Sequence, residues 1–112
     1  MIEINIVSAV KNLGYEIYPI KLPQTANLPA LTYFIATDKK EQPLNNNKYF
    51  ASEKRVQIDI FSKSYKQAKT IAKEVADEMM KLGARDLMIN DLYEEDVEFY
   101  REMIEFYIKE NK

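Results

Sequence analysis

Between residues 55 and 83 the hydrophobic period of the chain changes once, abruptly, and this switch dictates most of what the chain can become. Residues 55–62 alternate, with Val56, Ile58 and Ile60 on one side and Gln57 and Asp59 on the other, the two-residue period of a half-buried strand. Ser64 and Gln67 then form a capping box, S-x-x-Q, directly before Ala68, Ile71, Ala72, Val75, Ala76, Met79 and Leu82. Those seven recur at helical spacing, and Gly83 supplies the residue that ends the helix. Lys66, Lys69, Lys73, Asp77 and Lys81 fall on the opposite side, spaced as an ordinary solvated face. The Ala residues in the stripe allow the helix to lie close to a sheet. A strand that feeds straight into such a helix needs further strands beside it.

The rest of the sequence provides them. Residues 31–37 alternate with Leu31, Tyr33 and Ile35 on one face and are predicted to pair antiparallel with 55–62. Residues 15–20 read as a short strand closed by Pro19, and Pro23 and Pro29 keep the following connection extended. Ahead of it, Ile2, Ile6, Ala9, Val10 and Leu13 make a helical stripe with Gly14 behind it as a stop, although Ile2, Ile4 and Ile6 also alternate. Residues 84–93 predict a short strand leading into an acidic turn at Glu94, Glu95 and Asp96. Residues 99–108 fit a helix through Val97, Tyr100, Ile104 and Tyr107, or a strand through Tyr100, Ile104, Phe106 and Ile108. Their aromatic and β-branched content favours the strand. The expected fold is one α+β domain over residues 1–112, in the order α-β-β-β-α-β-β, with helices on one face of a largely antiparallel sheet.

Residues 38–54 are predicted to be a single long polar loop, holding Pro43 and Asn45, Asn46 and Asn47. A connection of this length in a compact domain is usually functional or disordered. Tyr49 and Phe50 within it either fold back on the domain edge or reach a neighbouring subunit.

The chemistry open to this chain is narrow. It has no His, no Cys, no Trp and two glycines, so a histidine base, a thiolate, a zinc site or a glycine-rich phosphate cradle cannot be assembled. No serine has a histidine to activate it. The acidic run 91–96 lacks the glycine turn and ligand spacing of a calcium loop. Two carboxylates such as Asp59 and Glu105 could serve glycoside hydrolysis in principle. Asp59, however, reads as a surface or interface residue on the outer side of its strand. No catalytic residue, cofactor or metal ligand is predicted, and the chain reads as a binding or structural protein rather than an enzyme. No apolar run approaches a membrane span and no leader pattern opens the chain, so a soluble protein is expected.

Charge is unevenly spread. Residues 1–90 carry 13 basic and 10 acidic side chains, whereas 91–112 carry 3 and 8. Within 39–73 there are 9 basic residues against 3 acidic. Either two solvated faces differ by chance, or a basic surface on one copy meets an acidic one on the next, as a head-to-tail ring needs. On the second reading the interaction residues are Lys39, Lys40, Asn45, Asn46, Asn47, Tyr49, Phe50, Glu94, Glu95 and Asp96. Basic residues interleaved with Tyr49, Phe50, Phe61 and Tyr65 could also form a nucleic-acid stacking platform. The acidic pI of about 5.2 weighs against that.

The order of motifs resembles the tail-completion, or tail-to-head joining, proteins of long-tailed bacteriophages and prophages. The matching stretches are Leu13-Gly14-Tyr15 after the first helix and Leu28-Pro29-Ala30-Leu31-Thr32-Tyr33. They continue with Arg55 to Ser62 and the helix behind it, then Asp91-Leu92-Tyr93-Glu94-Glu95-Asp96, Tyr100-Arg101 and a final strand through Ile108. The resemblance implies a small α+β protein without catalytic residues. It would form a ring, commonly a hexamer, between tail tube and head connector, in the bacterial host's cytoplasm during assembly and in the virion afterwards. Such proteins usually have a glycine in the turn before their last strand, where this chain has Val97-Glu98. A nucleic-acid-associated regulatory or adaptor domain is the alternative, and a small enzyme with a carboxylate site is the third reading.

Overall fold

In the computed structural model, which describes residues 1–41, 51–94 and 98–111, the elements follow the predicted order. They are α1 (Ile2–Asn12), β1 (Ile17–Pro19), β2 (Ala30–Glu41), β3 (Ala51–Ser62), α2 (Tyr65–Lys81), β4 (Arg85–Glu94) and β5 (Phe99–Asn111). The strands form one sheet in the order β1-β2-β3-β5-β4. Every neighbouring pair is antiparallel except β1–β2. The fold is the expected α+β arrangement.

Both helices lie on one face of the sheet, and the period switch explains why. Even-numbered residues of β3 and of the middle of β5, namely Val56, Ile58, Ile60, Ile104, Phe106 and Ile108, are buried beneath them. Ile71, Val75 and Met79 of α2 and Ile6 and Val10 of α1 close the same core. Helix α2 covers parts of β3, β5 and β4, so it bridges the crossing from β3 to the far edge of the sheet. At its start Ser64 Oγ accepts from the Gln67 N–H at 3.2 Å. The return half of the capping box runs through Ser62. Its hydroxyl donates to Gln67 Oε1 at 2.6 Å and accepts from the Ser64 N–H at 3.1 Å. Gly14 and Gly83 take φ of 96° and 106° as the two helix stops.

Two expectations are corrected. Residues 38–54 are not one loop. Asp38, Lys39, Lys40 and Glu41 continue β2 opposite Lys54, Glu53, Ser52 and Ala51 of β3. The backbone ladder does not need apolar side chains, and Lys39 opposite Glu53 is a favourable cross-strand charge pair. β1 is shorter than the predicted strand and runs parallel to β2. It ends because Ile20 turns with φ 65°, its N–H donating to the Tyr33 carbonyl at 2.8 Å. β4 spans Arg85–Glu94, within a residue of the predicted 84–93, with an irregularity between Arg85 and Met88 that includes Asp86 at φ 54°. No helix among the described residues is long and apolar enough to cross a membrane.

Candidate assembly interface

The sheet ends on two open edges. Among the described residues no strand pairs the outer side of β4, and β2 is covered by β1 only from Leu31 to Tyr33. An edge strand is a template for another chain, and soluble proteins usually blunt it with lysine, proline or charge. β4 carries Arg85, Asp86 and Asp91, but beside them Met88, Ile89, Leu92 and Tyr93 are all large and exposed, at 58%, 40%, 39% and 50%. Beside the open part of β2, Glu3, Pro19, Ile20, Tyr33, Phe34 and Ile35 line a cleft of about 460 Å³. An adjoining hollow of about 270 Å³ shares Glu3 and Tyr33 and adds Ile4 and Val7 of α1. Ile4 and Ile20 stand on the lip of this surface, 61% and 76% exposed.

Beneath α2 lies a second constellation. β4 and β5 place Asp91 directly opposite Glu102 on the helix face. Like charges in that position repel, and α2 answers with Lys69, whose Nζ is 2.7 Å from Asp91 Oδ1 and 3.5 Å from Glu102 Oε1. The Tyr65 hydroxyl donates to Asp91 Oδ2 at 2.8 Å. Asp91 lies near the surface, and the Lys69 and Tyr65 donors hold its carboxyl down at about 2. Glu102 is 1% exposed, and neither of its oxygens accepts a hydrogen bond from a described donor. Burial first, and the neighbouring Asp91 second, push its carboxyl up to about 7. A proton on Glu102 turns it into a donor toward Asp91, which resolves both the repulsion and the missing partner. A cleft of about 320 Å³ bounded by Lys69, Ala72, Lys73 and Ile89 leads to it. The sequence hid this site in a gap: Tyr100, Ile104, Phe106 and Ile108 mark the buried face of β5, and position 102 on that face holds a carboxylate.

The predicted interaction residues divide. Lys39 and Lys40 stand exposed near the end of β2, where Lys40 Nζ reaches Asp38 at 3.0 Å and Ser52 Oγ at 3.2 Å. Glu94 is the last residue of β4. Asn45, Asn46, Asn47, Tyr49, Phe50, Glu95 and Asp96 lie outside the described residues. The basic and acidic segments do not face away from each other, because β3 lies directly beside β5. Arg55 pairs with Glu105 at 2.7 Å, Lys54 with Glu110 at 2.8 Å, and Lys69 with Asp91. Burial opposes the charge on Lys54, but Glu110 and Glu3 outweigh it and leave its pKa raised. Much of the charge asymmetry is therefore neutralised within one chain.

Asp59 is likewise not a surface residue. It is 4% exposed and held by Arg101 Nε at 3.2 Å and by the Gln57 amide at 3.0 Å. The sheet face away from the helices is partly self-covered by such side chains, as Arg101 also stacks over the Phe61 ring at 5.7 Å. With Asp59 and Glu105 each occupied by an arginine, the pair lacks a free acid and a free base. Among the described residues no three acidic side chains converge to hold a metal. Compared with known proteins, the chain matches no family model, and no curated protein is similar to it in sequence.

Proposed function

We propose that this chain is a structural protein of a phage or prophage head–tail joining complex, forming a ring that caps the tail tube and docks to the head connector. The observation that carries the reading is the pair of open sheet edges on opposite sides of one protomer, one of them lined by exposed Met88, Ile89, Leu92 and Tyr93. Two different surfaces on one subunit are what a cyclic, head-to-tail assembly requires. The sequence resemblance adds the identity of the complex, and the α-β-β-β-α-β-β order agrees with the fold it implies. Glu98 adds a local point. It takes φ 52° at the place where such proteins carry glycine, so the backbone demand of that turn is kept although the residue is not. The nucleic-acid alternative lacks comparable support, since Lys54, Arg55 and Lys69 of the basic stretch are occupied by carboxylates.

Electron microscopy of the purified protein, with and without tail tubes, tests this. Closed rings, alone or at tube ends, are expected. Deleting the gene from its phage should leave separate heads and tails. Joined particles in the deletion strain would sink the proposal.

A further inference from the structure

We infer that the joint between copies is a strand addition: β4 of one copy extends the sheet of the next by pairing with its β2 edge from Phe34 onward. The inference rests on the ring reading and names the surfaces that make the ring.

The outer backbone groups of β4 fit an extended chain as their protein partner, because a strand engages a whole row of amides and carbonyls at once. A second copy carries such a strand. Its β2 is open beyond Tyr33 because β1 stops at Pro19 and Ile20 turns away with φ 65°. Strand direction fits as well. β2 and β5 both run antiparallel to β3, and β4 runs antiparallel to β5, so β4 is antiparallel to β2. A head-to-tail repeat therefore brings β4 against the next β2 as an antiparallel ladder.

Charge decides against the competing arrangement, in which two β4 edges meet about a twofold axis. Lys66, Lys69 and Lys73 follow one another at three- and four-residue spacing along one flank of α2, and Lys69 and Lys73 border the cleft that β4 closes. A twofold joint sets two such flanks against each other. The head-to-tail joint instead sets Lys66 and Lys73 on the side of Glu3 and Asp38, which Lys54 at 3.6 Å and Lys40 at 3.0 Å already hold, so no two lysine flanks are opposed. The apolar side chains match in the same way: Ile89 and Tyr93 come from β4, and Ile4 and Ile20 from the lip of the receiving cleft.

The sheet register also specifies the geometry. Arg85, Tyr107, Arg55 and Thr37 lie in one row across β4, β5, β3 and β2. A joint without stagger would pair only the start of β4 with Phe34 to Thr37. Longer pairing needs each copy displaced along the strands, which is the shear that closing a sheet into a ring imposes.

Two double variants test the joint by complementation. Ile89→Lys/Leu92→Lys blocks the β4 side, and Ile4→Lys/Ile20→Lys blocks the β2 side, all at exposed positions. In sedimentation and light scattering the unmodified protein should exceed a dimer. Each variant alone should run as the 13.2 kDa protomer, and an equimolar mixture should give twice that mass and nothing larger. A self-dimer of the Ile4/Ile20 variant would mean twofold β4 pairing and overturn the inference. Wild-type rings together with variants that still assemble would overturn the joint and leave the ring reading standing. A wild-type monomer at every concentration would remove both. Should a double variant lose its far-ultraviolet circular dichroism, Leu92→Lys and Ile20→Lys singly carry the same comparison.

Discussion

Glu102→Gln tests whether the buried carboxyl beneath α2 shapes the stability of the fold. The side chain is 1% exposed and its carboxyl lies at about 7, against an ordinary 4.5, chiefly through burial and then through Asp91. Between those two values the folded chain holds a proton that the unfolded chain has released. Stability is therefore greatest below about pH 4.5 for this group and declines as pH rises toward and through 7. At about 1.4 kcal/mol per tenfold change in proton affinity, the interval corresponds to roughly 3 kcal/mol. The part read between pH 5 and 8 is about 2–3 kcal/mol. Glutamine keeps the shape, stays neutral, and can donate to Asp91 as the protonated carboxyl does. The variant should match the wild type near pH 5 and exceed it by about 2–3 kcal/mol at pH 8. The groups facing Glu102 do not confuse the window. Asp91 lies at about 2, and Lys69 and Tyr65 are raised above their ordinary values near 10. Urea midpoints at pH 5, 6, 7 and 8 and fixed ionic strength, with m unchanged, give the comparison. Parallel curves for the two proteins would refute the reasoning, because the carboxyl would then titrate alike in both states.

Further outcomes follow from the same structure. Ile71→Ala, at a site 1% exposed between α2 and the sheet, should cost roughly 2–4 kcal/mol in chemical denaturation, through lost burial plus a cavity. Ser64→Ala should cost about 1 kcal/mol in the same measurement, since the Gln67 amide loses its acceptor. Ile20→Asn should raise the unfolding free energy by about 0.5–1 kcal/mol in the same measurement, because a β-branched residue at φ 65° is strained and asparagine tolerates that conformation. The same change should weaken self-association in light scattering.

What the sequence made legible was whatever is encoded in a period. The strand-to-helix switch at residues 62–65, the buried stripe of α2 and both glycine stops were readable because local pattern and burial agree there. Residues 99–108 were readable as strand through their aromatic and β-branched content and the family resemblance rather than through period, since Tyr100 and Ile104 fit both. The extension of β2 and β3 through residues 38–41 and 51–54 was not readable. Ala51, Ser52 and Lys54 are buried there, but they show no apolar alternation, and strand pairing is a property of the backbone ladder and of cross-strand charges such as Lys39 and Glu53. Lys69 lies on the exposed face as its spacing predicts, but its partners were not readable. Asp91 and Glu102 converge on it from strands that sequence distance does not connect to α2.

The charge asymmetry gives the sharper lesson about assembly. In the sequence, opposite-signed segments suggested two surfaces that meet between copies. In the fold, β5 runs alongside β3, and Arg55–Glu105 and Lys54–Glu110 satisfy those charges inside one protomer. The drive to associate then has to come from groups the protomer leaves unsatisfied, and these are backbone and apolar: the outer ladder of β4, the open part of β2, and Met88, Ile89, Leu92, Tyr93 and Ile20. Exposed ion pairs contribute only about 0.2–1 kcal/mol each and are screened by salt, whereas strand addition with apolar burial is not. Assembly should accordingly survive high salt, the reverse of what segment charges alone suggest. Rings that dissolved into protomers as sodium chloride was raised would return the joint to the charges.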